Sequence, residues 1–303
     1  MKQTCSDLLN QLKPSIQPQV EKLEFIGVEG YDVYNITAPF PNKNQDIIAG
    51  RVEKRDSEQS TVCFFAQNDQ QQWELQPQLP TFQLQDPFVT FIHGELIFGG
   101  VQVYPHPENP ESLAWRTVFY CGNSIETLEE FFIGPDGMKD IRLVEVTPNQ
   151  ILVFTRPQGV VGGRGKIGTT SIQTLAELTH EVIESATLLD QFIEEEWGGV
   201  NAAYPLANGK IGILGHIASF DEKENRHYYS ITFCYDPKAK EFSAMKLLAT
   251  RSMFLPGPTK RLDLEDVVFS GGLRFSEDEQ EVELYVGISD SHAQKINLAN
   301  PFL

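Results

Sequence analysis

Five polar residues, Asn35, Asp86, Asp140, Asn201 and Asp266, each stand at the start of an apolar, strand-like run. Three of them are carboxylic acids, the residue type that exchanges protons with a sugar oxygen during glycosidic bond cleavage. Asp86 is the first choice for that acid. Pro87 biases its backbone toward an extended conformation, and the aromatic Phe88 follows. Each opener taken alone also reads as an ordinary turn residue at a strand start.

The second group of reactive residues is cationic. Arg51, Arg55, Arg142, Arg156, Arg164 and Lys166 stand out in a chain whose formal net charge is -18. Arginine offers a planar fork to phosphate and lysine a point charge. His216 and either Tyr228 or Tyr229 would add neutral donors. The alternative for each arginine is a surface ion pair.

Composition excludes several classes. The acidity leaves no broad basic face for nucleic acid or an anionic membrane, although a local cationic cluster can still hold a small anion. The cysteines, Cys5, Cys63, Cys121 and Cys234, form no C-x-x-C pair, and the six histidines lack zinc-ligand spacing. Neither a metal nor another cofactor is expected. Gly163 to Gly168 spells G-x-G-x-x-G, but Thr169-Thr170-Ser171-Ile172 continues as a strand rather than a helix, so the dinucleotide reading lacks its context. A loop presenting Arg164 and Lys166 is expected there. The run Glu194-Glu195-Glu196 reads as a solvated end, with Glu196 as the member that could turn toward a site. No apolar run approaches a membrane span, the first residues lack the pattern of a secretory leader, and a reducing cytoplasm is expected.

The elements that position these residues are mostly hairpins. Asp86 to Gly100 reads as two strands around a His93-Gly94 turn. Similar sets run from Tyr31 to Phe65, Lys139 to Ile172, Gly199 to Phe233 and Glu265 to Leu298, with turns at Pro148-Asn149 and Asn208-Gly209. A helix from Ser6 to Lys13, capped by Ser6 or Asp7 and ended by Pro14 and Pro18, precedes them. One further helix is expected from the capping box Thr174 to Glu177 through Leu178, Val182, Ile183, Ala186 and Leu189. Repeats of roughly 50 to 65 residues that each form a sheet suit an all-β, five-bladed β-propeller. Residues 1–21 would form an extension and 22–303 the catalytic domain. The first strand of each blade lines the central channel of a propeller, so the openers would meet at one mouth. Grouping buried polar groups is costly without a polar ligand, and this convergence points to a sugar site built from Asn35, Asp140, Asn201 and Asp266 around Asp86.

The motifs carry a resemblance. Asp86-Pro87 with its hairpin, Thr155-Arg156-Pro157, Leu214-Gly215-His216 and the runs from Val267 to Gly272 and Tyr285 to Asp290 resemble the blade motifs of five-bladed propeller glycosidases. The β-mannoside phosphorylases of glycoside hydrolase family 130 are the nearest of these. AGRVEKRDSE, DPFVTFIHGELIFGG, FTRPQGVVGGRGKIG and EEWGGVNAAYPL resemble, more closely still, a family catalogued as a domain of unknown function. Its protozoan members are similar to the mannan-making and mannan-phosphorolysing enzymes of glycosyltransferase family 108. The resemblance spans about residues 22 to 300.

It implies that Asp86 is the single catalytic acid, relaying a proton through a substrate hydroxyl. It places Arg156, Lys166, His216 and Tyr229 (or Tyr228) at a phosphate pocket, with Arg51 a looser match. Asp290 would hold the sugar beside the cleaved bond, with Asn35 as its partner. The propeller hydrolases add a third-blade glutamate; here Asp140 and Glu145 occupy that blade outside the hydrolase motif, which favours phosphorolysis. The substrates implied are an oligosaccharide, with β-1,2-linked mannose first, and inorganic phosphate. The alternatives are a mannosyltransferase or hydrolase on the same scaffold, and a propeller that binds carbohydrate without turning it over.

Overall fold

Alternating and apolar runs become antiparallel ladders because period-two side chains can bury one face while the backbone pairs with its neighbour. A computed structural model describes residues 2–12 and 18–303, and among these the secondary structure is dominated by strands. Four hydrogen-bonded sheets follow one another along the chain. The first holds Asp32–Tyr34, Gln45–Glu53, Thr61–Gln67 and Trp73–Leu75, with Phe25–Ile26 on one side and Phe40–Asn42 paired to Gln45–Glu53. The second is a meander of Gln85–Ile92, Glu95–His106, Asn109–Gly122 and Glu129–Ile133. The third holds Arg142–Thr147, Gln150–Thr155, Gly168–Ile172 and Thr187–Leu188.

The last sheet has nine strands. Trp197–Pro205, Ile211–Phe220 and Arg226–Asp236 form one antiparallel set, and Asp266–Phe275, Glu281–Ile288 and His292–Ala299 another. Only a short parallel contact, His227 with Asp266 and Tyr228 with Val267, joins them. Val20–Lys22 then pairs antiparallel with His292–Ala299, tying the start of the chain to its last strand. The expected boundary at residue 22 falls inside that strand.

Apolar clusters fill the space between consecutive sheets. Phe64, Phe98 and Val118 join the first to the second, and Phe88, Phe119 and Val153 join the second to the third. Phe154, Phe192 and Ile231 continue into the fourth. Tyr285 and Ala293 of the last strands pack against Ile36 and Phe65 of the first sheet. Each fully buried Phe or Ile contributes about 1.5–3 kcal/mol.

Local expectations hold at the turns and shift at the helices. The His93-Gly94 turn has φ of 52° and 80°, the two left-handed residues that a two-residue hairpin requires. The first helix is Cys5–Gln11, and its cap is Thr4 rather than Ser6 or Asp7. Asp7 serves instead as the reciprocal partner, accepting from Thr4 N at 3.0 Å. Lys13 and Pro14, expected at its end, lie outside the described residues. The helix expected from Thr174 to Leu189 is two short pieces, a 3-10 turn at Leu175–Glu177 and an α-helix at His180–Glu184. Glu177 bonds Gln173 N instead of closing the box, and Thr179 caps afresh by accepting from Val182 N at 3.3 Å.

Candidate active site

The site begins where strands are interrupted. The ladder pairs Gln85 with Val101 but Phe88 with Gly99, so one extra residue bulges out between them. Asp86 sits in that bulge with φ 50°, left-handed and not in the extended conformation expected from Pro87. Aspartate tolerates this region better than most residues, and proline brings no N–H for the broken ladder to leave unpaired. A bulge re-aims its side chain. Asp86 is buried, and its Oδ1 accepts from Asn35 Nδ2 at 2.8 Å and Arg51 Nη1 at 3.2 Å. Both donors fall on one oxygen, which leaves Oδ2 toward the cavity.

Behind Asp86 lies a buried charged layer. Arg51 sends Nη2 to Glu53 Oε2 at 2.9 Å and Nε to Ser60 Oγ at 2.8 Å, and lies 4.8 Å from the Tyr34 ring centre. Glu53, 1% exposed, also receives Lys260, Ser60 and the Tyr34 hydroxyl. Burial alone would raise the Glu53 pKa, but Arg51, Lys260 and Ser60 outweigh it and hold the carboxyl below its ordinary value. Burial also works against the charge of Arg51, and Asp86 and Glu53 overcome it.

The opposite wall repeats the plan. Asp140, φ 63°, stands at the start of Arg142–Thr147, and its Oδ2 is 3.3 Å from Arg156 Nη1. Burial would raise its pKa, but Arg156, Lys139 and Arg142 bring it down to about 2. His216 Nδ1 donates to Asn201 Oδ1 at 2.8 Å, and its ring stacks on Tyr228 at 5.6 Å. Burial, with Arg156 and Lys139 adding to it against the pull of Asp140, takes the His216 pKa down to about 3, so the imidazole is neutral. With Nδ1 protonated, Nε2 keeps a lone pair that can accept the O–H of a phosphate monoanion or dianion.

Between these walls is a cavity of about 210 Å³. Asn35, Arg51, Asp86, Asp140, Arg156, His216 and Asp290 all line it. Burial raises the Asp290 pKa, and nearby Asp86 adds to the rise while Arg51 opposes it. Glu58, Gln85, Lys139, Tyr228, Arg226 and Arg261 complete the polar lining.

Four of the residues assigned from sequence are elsewhere. Lys166 extends to Asp190 at 3.3 Å near the surface. Tyr229 points away because neighbours on a strand face opposite sides; it donates to Asp266 Oδ2 at 2.8 Å, and Tyr228 takes the cavity face. Asn201 is buried one layer back, orienting His216. Asp266 pairs with His227 at 2.6 Å outside the cavity. The bulge of its sheet lies at Gly271, where a Cβ would strike Ile36 O, so the last opener carries no side chain.

Other expected contributors have structural partners. Arg55 pairs with Asp32, and Glu196 accepts from Cys5 N at 2.8 Å. Glu145 accepts from His93 N. Arg142 lies 3.9 Å over the Phe88 ring and donates to Asn201 O at 2.8 Å, bracing three successive sheets. The glycine motif also acquires a role. A Cβ on Gly165 would lie 2.8 Å from the Arg156 guanidinium, so the loop seats that arginine. Lys139, Arg226 and Arg261 were missed. Lys139 adjoins Asp140 in sequence, which was the one available signal; the other two reach the cavity from distant segments.

Comparison with known proteins follows this geometry. Residues 11–303 match the family described as "Protein of unknown function (DUF1861)". No curated protein sequence matches. A mannose phosphorylase from Leishmania mexicana, solved in complex with phosphate ion, is 37% identical, with TM-score 0.87 over 95% of this chain and 90% of that one. A GDP-Man-dependent mannosyltransferase from Leishmania mexicana is 31% identical, with TM-score 0.89 over 99% and 95%. A β-1,2-mannobiose phosphorylase from Listeria innocua, at 13% identity and TM-score 0.64 over 99% and 96%, shares the fold.

Proposed function

The chain belongs to the DUF1861 family, and from that premise we propose that it is an inverting glycoside phosphorylase acting on β-mannosides. β-1,2-Linked mannose oligosaccharides and inorganic phosphate are its substrates, and mannose 1-phosphate and a shortened acceptor its products. The observation that carries this reading is Asp86, a carboxyl with one oxygen left without a partner among the described residues, facing a wall of Arg156, Lys139 and neutral His216 across one cavity. Its 37% likeness to a mannose phosphorylase solved with phosphate agrees with that arrangement.

The chemistry needs one acid and no protein base. Asp86, held by Asn35 and Arg51, delivers a proton to the leaving glycosidic oxygen, directly or through a sugar hydroxyl. A phosphate oxygen attacks the anomeric carbon from the opposite face, the carbon–oxygen bond breaks, and the configuration inverts. Arg156 and Lys139 bring the anion into line, and the His216 Nε2 lone pair accepts a hydrogen bond from its O–H. Asp290 and Asn35 face the sugar at the cleaved bond.

The scaffold is a five-bladed propeller in this reading. Split at its two-residue parallel contact, the nine-stranded sheet yields two antiparallel units, five in all. The apolar clusters that join each unit to the next and the last to the first support a closed ring.

A second reading is transfer of mannose from a sugar nucleotide, favoured by the 31% identity and TM-score of 0.89 to a GDP-Man-dependent mannosyltransferase. Product analysis separates the two. Purified protein is incubated with β-1,2-mannobiose with and without phosphate, and with GDP-mannose and a mannose acceptor. Phosphate-dependent mannose 1-phosphate is the expected product. GDP release with chain extension, and no phosphorolysis, would replace the leading reading by the second.

A further inference from the structure

A second hollow opens directly off the catalytic cavity. The two share Gln85, Lys139, Arg156, Arg226 and Tyr228, and the second is the larger, about 400 Å³ against 210 Å³. Part of its wall is aromatic. Trp197 donates Nε1 to the Tyr228 hydroxyl at 3.0 Å, and its ring centre is 4.8 Å from that of Phe220.

Its charge is one-sided. Lys139, Arg156, Arg164 and Arg226 reach it and no carboxylate lines it, although the chain carries a net charge of -18. Arg156 and Arg226 have carboxylate partners in Asp140 and Asp263. Among the described residues Arg164 and Lys139 have none within 4.0 Å. Arg164 and Arg226 lie over the same Phe220 ring, at 5.2 Å and 5.6 Å from its centre. Two like charges on one ring repel, and of the two only Arg226 is offset, by Asp263. Arg156 is 2% exposed, and its Nη1 is buried without a hydrogen-bond acceptor. With Arg156 and Lys139 turned to the inorganic phosphate of the first cavity, a neutral oligosaccharide would leave Arg164 and Arg226 unused.

We propose that this hollow binds a phosphoryl group on the acceptor side of the substrate, held by Arg164 and Arg226, which the Trp197 and Phe220 rings seat. The ligand class is a phosphorylated sugar acceptor; a nucleoside diphosphate, the leaving group of the transfer reading, carries the same phosphoryl chemistry and is the source the test separates from it. The proposal rests on the adjoining cavity being the catalytic one. The inorganic phosphate of that cavity is a separate anion held by Arg156, Lys139 and His216.

Calorimetric titration of the full chain with mannose 6-phosphate, guanosine 5′-diphosphate and mannose, with and without inorganic phosphate, tests it. One phosphorylated ligand is expected to bind at least about tenfold more tightly than mannose, and Arg164→Gln to weaken it by about tenfold, the scale of one charge-assisted contact. Which ligand saturates identifies the source of the phosphoryl group. Phe220→Leu serves as the second variant and should weaken the same ligand. Phosphorylated ligands no tighter than mannose, or a full affinity retained in both variants, would overturn the proposal. Phosphorolysis of neutral β-1,2-mannobiose is read in parallel. Its failure with selective binding intact sinks the catalytic reading alone, and its success without phosphoryl selectivity sinks the hollow alone.

Discussion

Asn35 Nδ2 donates to Asp86 Oδ1 at 2.8 Å, across 51 residues of sequence, and both residues hold left-handed backbone, φ 45° and 50°. Each interrupts its own strand to aim a polar side chain inward. Asp140 stands left-handed just before its strand, φ 63°, and Asp290 in the turn between Glu281–Ile288 and His292–Ala299, φ 48°. Such conformations cost about 1 kcal/mol or more each for a residue with a side chain; others, such as Lys43, Gln71 and Glu224, serve turns elsewhere, but these four line one cavity. Strain and cavity lining together single them out, and the first prediction concerns the acid among them.

Asp86→Asn keeps the shape of the side chain and removes its proton-donating capacity. Phosphorolysis should fall by about 10²–10⁴-fold, the range of general acid catalysis, with the melting temperature little changed. Steady-state rates beside a thermal melt give the comparison. Activity within a few-fold of the parent would move the acid to another residue, with Asp290, whose pKa burial raises, next in line.

Asn35 reaches Asp86 only because residue 287 has no side chain. A Cβ there would land on Asn35 Oδ1. Gly287→Ala should therefore displace Asn35 and lower kcat, because Asp86 loses one of the two donors that orient it. A variant with unchanged kcat would show that Arg51 orients the acid by itself.

Much of this site was legible in the sequence, and the failures have physical causes. A carboxylate or amide before an apolar run marked Asn35, Asp86 and Asp140, because a bulged strand start places its side chain by local geometry alone. Asp266 follows the same pattern yet faces away, since the bulge of its sheet falls five residues later at Gly271. Tyr228 and Tyr229 differ only in strand phase, which the spacing of surrounding apolar residues leaves ambiguous. Lys166 looked like a phosphate ligand by motif, but its amine lies beside Asp190. Arg226 and Arg261 come from segments whose approach depends on the closure of the whole sheet arrangement. The helix after Thr174 failed for a local reason: Thr179 offered a second cap within the same stretch.

Arg156 presents two consequences at once, phosphate affinity and the neutralisation of buried Asp140. Arg156→Lys retains the charge and loses the planar fork. The KM for phosphate should rise by about tenfold or more, while the KM for the oligosaccharide moves less. Removing the charge altogether with Arg156→Gln leaves Asp140 buried and unpaired, and should cost about 3–5 kcal/mol of stability. Equal effects of both variants on phosphate KM and on melting would remove Arg156 from the phosphate pocket.

Stability should also depend on pH through the buried histidines. Burial holds the pKa of His216 at about 3 and that of His292 at about 4, against 6.5 for the unfolded chain. Above pH 6.5 both states are neutral at these rings and no difference arises. As the pH falls below it, the unfolded chain takes up protons that the folded rings refuse, so the folded state loses stability progressively down to the folded pKa values. Asp140, held at about 2, adds a further loss below pH 3.8 in the same direction. The melting temperature should therefore decline from pH 7 to pH 4. His216→Gln, which cannot titrate, should decline less steeply over that interval while His292 maintains part of the slope. A His216→Gln profile parallel to the parent's would mean that His216 binds protons alike in the folded and unfolded states, with a pKa near 6.5 in both. It would then become a cation to phosphate only as the pH falls through that value.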